Sequence, residues 1–143
     1  MEFPVSLGKL FTMKLVYRIL ILIVALTVLS VWTFRMKASS IFRGGSATNM
    51  IEEFEAYGLS ETQMYVVGTF KILAAILLLL GLRFPKLVVV GASTMGVFMI
   101  GAISMHISIG DGIIPTLPSS WMLFCCITIL LLHKRLHINM GNG

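Results

Sequence analysis

Four apolar runs, at about 15–34, 64–82, 87–107 and 117–132, limit what this chain can fold into more than any other feature. The first three reach the roughly 20 residues that a helix needs to cross about 30 Å of hydrocarbon. The fourth is shorter. "IIPTLP" precedes it, Pro118 suits the first turn of a helix, and a short span can be met by local thinning of the bilayer or by tilt of its neighbours. Composition agrees: 57% of the 143 residues are hydrophobic and 12% are charged, too apolar for an ordinary soluble domain. The expectation is an all-α, polytopic membrane protein. A single domain over 1–143 would form a four-transmembrane-helix bundle, with the lipid bilayer as its first partner.

The first run starts beside Lys9, Lys14 and Arg18, as a signal peptide would. However, "KLVYRILILIVALTVLSVWTF" is longer than a signal h-region, and no small-x-small cleavage site precedes a polar mature start, so it reads as a span. Orientation follows from lysine and arginine near the span ends. The N-terminus, the 83–86 loop and the C-terminus hold Lys9, Lys14, Arg18, Arg83, Lys86, Lys134 and Arg135. The opposite side holds Arg35, Lys37 and Arg43, and its second loop, 108–116, has none. Both termini are therefore expected in the cytoplasm. The net charge of +5 is a topology signal, and no basic stripe points to nucleic acid.

Residues 35–62 are the only polar stretch of any size. Within it "SATNMIEEFEAYGLS" predicts a short amphipathic helix over about 48–57. Ser46, Thr48 or Asn49 can cap it, Glu52 and Glu53 favour its positive N-terminal end, and "YG" stops it. Met50, Phe54 and Tyr57 recur at helical spacing, with the glutamates read onto other faces. Such a helix either lies at the outer interface or forms a lid over a site between the spans. Trp32, Tyr65 and Trp121 fall near the outer span ends, where aromatic belts form, and Tyr17 near the inner end. Ala92 and Gly96 make a small-xxx-small pair that permits close packing of the third span.

Lys71 is the residue hardest to accommodate. If the second span begins near Gln63, Lys71 lies eight residues in, about 12 Å at helical rise. A lysine at that depth faces a bundle interior or a watery cavity. By snorkelling it would reach the layer of His106 and Asp111, at the outer end of the third span. A polar cluster of Lys71, His106, Asp111 and either Glu52 or Glu55 is therefore expected, either to satisfy the lysine or to bind a polar head such as a quinone carbonyl or a lipid phosphate. Cys125 and Cys126 are adjacent on a helix, about 100° apart, and read as packing residues rather than a redox pair. His133 and His137 in "HKRLH" read as a basic membrane-surface end. Neither metal-ligand spacing nor a nucleophile motif is present, so no catalytic or metal residue is predicted.

From about Phe34 to Leu132 the chain resembles the DoxX family of four-helix membrane proteins. The residues that carry the resemblance are "FRMKASS", with Lys37 at the family's usual lysine position, then "FEAYGLS", "VGTFKILAAILLLLGL" and "MHISIGDG", with His106, Gly110 and Asp111. It implies a bundle in a bacterial cytoplasmic (inner) membrane. It also implies a role like that of relatives that are small subunits of quinone-linked sulfur oxidation systems, members of complexes tied to thiol and oxidative stress, or assembly factors of neuronal acetylcholine receptors. Where the family has an acidic residue in the second span, this chain has Lys71. Paired with Lys37 it would repel, which makes Glu52 or Glu55 the expected intermediary.

Two functions follow as expectations. The chain is an accessory subunit or assembly factor with a membrane-protein partner, or it is a quinone-linked oxidoreductase subunit that holds a quinone head near the outer leaflet. Solute transport is weaker, because neither an internal repeat nor a broken helix is visible.

Overall fold

The computed structural model describes residues 5–141. Five helices follow one another: α1 (Leu7–Thr33), α2 (Met50–Ala56), α3 (Glu61–Gly81), α4 (Lys86–Ser108) and α5 (Ile113–Gly141). The four longer ones are long and apolar enough to cross a membrane, and among the described residues there is no strand. The chain is a four-span, all-helical membrane bundle. Continuous helices suit hydrocarbon because every interior N–H and C=O pairs within its own segment.

The helices run past the apolar stretches at their polar ends, since lysine, arginine and leucine are good helix formers wherever the chain leaves hydrocarbon. At its start α5 gains a full turn over the apolar run. Pro115 occupies its first turn and Pro118 lies inside the helix, so the fourth span is of ordinary length. Capping is specific elsewhere. The Ser60 side chain accepts from the Gln63 amide, and Gln63 returns the bond to the Ser60 amide, a capping box that starts α3.

α1 packs against α3 and α5, α3 against α4, and α4 against α5, so the spans close into a ring. Tight packing occupies the half of the ring away from α2, around Ile21, Val24, Leu78, Val88, Met95 and Ile129. Lipid tails are as apolar as these side chains, so association rests on close van der Waals contact and small residues. A Cβ on Gly91 would meet the Ala74 carbonyl oxygen at 2.9 Å and the Leu78 nitrogen at 3.0 Å, so a glycine is what lets α3 and α4 touch backbone to backbone. Gly96 faces Cys126 and Leu123 of α5. Cys125 and Cys126 are both free and buried in this packing. Tyr17 is buried rather than at the interface, its hydroxyl 2.8 Å from His133 Nδ1 on α5.

Gly91→Ala should lower stability by about 1–3 kcal/mol, the usual cost of overpacking. Gly101→Ala, where a Cβ meets nothing within 4 Å, should hold or raise it by up to about 1 kcal/mol through helix propensity. A thiol-reactive dye that reports exposure of Cys125 and Cys126 on heating in detergent reads both. An unchanged midpoint for Gly91→Ala would contradict the α3–α4 contact.

Candidate functional site

The site is built on the loop between α1 and α3. Asn49 caps α2 by accepting from the Glu52 amide at 3.0 Å, Tyr57 ends it, and Gly58 follows at φ +76°, the left-handed stop that glycine adopts without strain. Met50, Glu53 and Phe54 face inward and are buried. Glu53 is thus not on another face from the apolar residues: three positions after Met50 and four before Tyr57, it shares their side of the helix.

Glu53 is the hub of the loop. Its Oε2 accepts from Arg43 Nη1 at 2.9 Å, and its Oε1 from the Gly44 amide at 2.8 Å and the Tyr57 hydroxyl at 3.0 Å. Both charged partners are almost wholly buried. The rest of the Arg43 guanidinium donates to the carbonyls of Arg35, Met36 and Ala38 at 2.9–3.2 Å. One buried ion pair therefore satisfies several backbone groups of a loop that has no secondary structure to do so.

From Tyr57 the network crosses to α4. Its hydroxyl lies 3.2 and 3.3 Å from the two ring nitrogens of His106, which is 5% exposed. The His106 Nδ1–H donates to Asp111 Oδ2 at 2.7 Å, because a carboxylate can only accept. Gly110 at φ +73° turns the chain back so that Asp111 reaches His106, and Asp111 Oδ1 accepts from the Gly45 amide at 2.9 Å. Gly44 has no room for a side chain, since a Cβ would stand 2.6 Å from the Tyr57 oxygen and 2.9 Å from Asp111 Oδ2. Burial first, then the Glu53 and Asp111 carboxylates, push the Tyr57 phenol well above its ordinary value, so it remains a neutral donor.

Beneath this lid lies a cavity of about 480 Å³ lined by all four spans, within the range of ligand pockets, roughly 300–1,000 Å³. Its walls are mostly apolar, with Val28, Val31, Phe98 and the methionines 50, 99, 105 and 122. Lys71 projects into it from α3, its Nζ 5.2 Å from the centroid of the Trp32 ring. Among the described residues no carboxylate pairs with that ammonium. Trp32 is 7% exposed, edge-on to Phe54 and pressed against Gly68, where any Cβ would collide with its ring. It is part of the cavity rather than of an aromatic belt, whereas Tyr65 and Trp121 are exposed on the bundle surface.

The structure brings His106 and Asp111 into contact and sets Lys71 in the adjoining cavity. It does not bring Glu52, Glu55 or Lys37 to that place. Glu52 is exposed, its carboxylate accepting from the Thr48 amide at 2.7 Å and hydroxyl at 2.8 Å, which hold it below the usual carboxylate range. Glu55 and Lys37 are exposed, Lys37 beside Thr33, Met36 and Asn49 rather than near Lys71. The residues that sequence reasoning missed are Arg43, Glu53, Tyr57 as a polar group, and Trp32. For Glu53 the signal was its spacing from Met50 and Tyr57, and for Arg43 the "RGG" that follows it into a tight turn. Among the described residues no three His, Cys, Asp or Glu side chains gather as a metal site.

A ring of four spans, an α2 lid and a His106–Gly110–Asp111 clasp define a small polytopic membrane bundle with a lidded cavity. The profile of the DoxX-like family matches residues 20–130, and the chain belongs to that family. No curated protein and no solved structure matches it.

Glu53→Ala leaves Arg43 charged and buried without its partner and should cost about 3–5 kcal/mol, read as a lower unfolding midpoint in detergent. Tyr57→Phe removes one hydrogen bond and should cost about 1 kcal/mol at neutral pH. Because the folded state raises the Tyr57 pKa, its contribution is complete below the ordinary tyrosine value near 10 and is lost as pH rises beyond it. The stability gap between wild type and Tyr57→Phe should therefore close above pH 10. A constant gap would show that Tyr57 does not titrate against the clasp.

Proposed function

We propose that this DoxX-like protein is an accessory subunit of a membrane complex, and that it holds an amphipathic small molecule in the cavity beneath α2. The observation that carries the reading is Lys71, an ammonium set into an apolar-walled cavity of about 480 Å³ with no salt-bridge partner among the described residues. Placing a lysine near the centre of a span costs about 2.5–3.5 kcal/mol even on the lenient insertion scale. A ligand head that accepts a hydrogen bond there offsets that cost, and the apolar walls take the tail.

In this reading the protein sits in a bacterial cytoplasmic membrane with both termini in the cytoplasm, and the lid faces outward. The lysine and arginine bias of the span ends supports that orientation. A quinone is one candidate occupant: a carbonyl oxygen accepts from Lys71 and the apolar walls take the ring and tail. Redox chemistry would then belong to the complex, with the electrons supplied by a partner protein.

The test is native mass spectrometry of the chain extracted from its own membranes in mild detergent, with analysis of the extracted small molecules. Wild type should carry a stoichiometric ligand, and Ala102→Phe, which fills the cavity wall, should lose it while the bundle remains intact. A protein partner should appear in crosslinked samples. A chain that emerges without ligand and without any reproducible partner would overturn the proposal.

A further inference from the structure

We infer that the cavity's ligand carries an anionic head on a flexible acyl chain, with Lys71 as its counter-ion; this rests on the ligand-holding reading above. Among the described residues four charged side chains line the cavity: Arg35, Arg43, Glu53 and Lys71. Arg43 and Glu53 neutralise one another at 2.9 Å, and Glu53 has both oxygens engaged by Arg43, Gly44 and Tyr57. Two positive charges are left, Lys71 within the cavity and Arg35 on the loop at its edge. A neutral head such as a quinone carbonyl would accept a hydrogen bond from Lys71 and leave its charge met only by the Trp32 ring face at 5.2 Å. A carboxylate or phosphate compensates it.

The walls argue for the chain. Met50, Met99, Met105 and Met122 all line the cavity, and unbranched thioether side chains repack around flexible partners of varied shape. Trp32 is committed to holding the ammonium by its ring face, 5.2 Å from Nζ, and its ring is pinned against Gly68 and Phe54. It steadies Lys71 at one position, where the headgroup has to meet it. The same chemistry is available from two sources, a long-chain carboxylate and a single-chain lipid phosphate.

The experiment uses the full chain, freed of co-purified lipid in dodecyl maltoside and titrated in native mass spectrometry with four probes: palmitate, methyl palmitate, palmitoyl lysophosphatidate and decylubiquinone. One anion should bind at one per chain, at least tenfold tighter than methyl palmitate, and the tighter of palmitate and lysophosphatidate identifies the source. Lys71→Met should weaken that anion at least tenfold and leave methyl palmitate unchanged, and Lys71→Arg should restore it. Equal binding of palmitate and its methyl ester, or full anion binding by Lys71→Met, would overturn the inference. Tight decylubiquinone binding without anion preference would overturn it too and leave the ligand-holding reading standing. Failure of every probe to bind a folded chain would count against both.

Discussion

The buried pair of Arg43 and Glu53 is the interaction on which the lidded half of this protein depends. A loop of irregular backbone packed over a cavity is tolerable only if its buried polar groups are satisfied within the protein. Arg43 does this for the carbonyls of Arg35, Met36 and Ala38 while its charge is met by Glu53. Glu53 in turn fixes Gly44 and Tyr57, and Tyr57 reaches His106 and Asp111. Remove the pair and the loop loses the bonds that order Arg35, Met36, Ala38 and Gly44, and Tyr57 loses its carboxylate acceptor. The cost of burying two charges is repaid here by the many hydrogen bonds they organise rather than by attraction alone.

Under that lid the sign of residue 71 takes on meaning. The DoxX-like family resemblance implies an acidic residue in the second span, and this chain has a lysine. Trp32 meets the Lys71 ammonium with a cation–π contact, about 2 kcal/mol in a desolvated setting. That is comparable with, and somewhat less than, the cost of the charge at depth. The balance is close enough for the bundle to hold the charge.

The limits of the sequence show best in particular residues. His106 and Asp111 were placed in one layer by their position at the outer end of the third span, and the turn at Gly110 is what brings their side chains together. Lys71 was legible as a problem because hydrocarbon tolerates few ammonium groups. Among the four acidic residues of 52–61, however, net charge and end preference cannot tell which one turns inward. Glu52 serves its own helix start through Thr48, Glu55 and Glu61 are exposed, and Glu53 is drawn inward by Arg43, ten residues earlier across an irregular loop. Trp32 was read as a belt residue from its depth alone. Its true role depends on the phase of α1 against Gly68 of α3, a relation that exists only once the two helices are packed.

By itself, then, the sequence determined the class of protein, the number of spans, the place of the lid helix and the presence of an ill-matched cation. These follow from local hydrophobicity, capping and the backbone's demand for internal hydrogen bonds. The tertiary structure alone decided which carboxylate is buried, which aromatic faces the lysine, and that a cavity remains where the ring of helices is incompletely filled. Those outcomes depend on helix phase and on contacts between residues distant in the chain, and no local pattern encodes them.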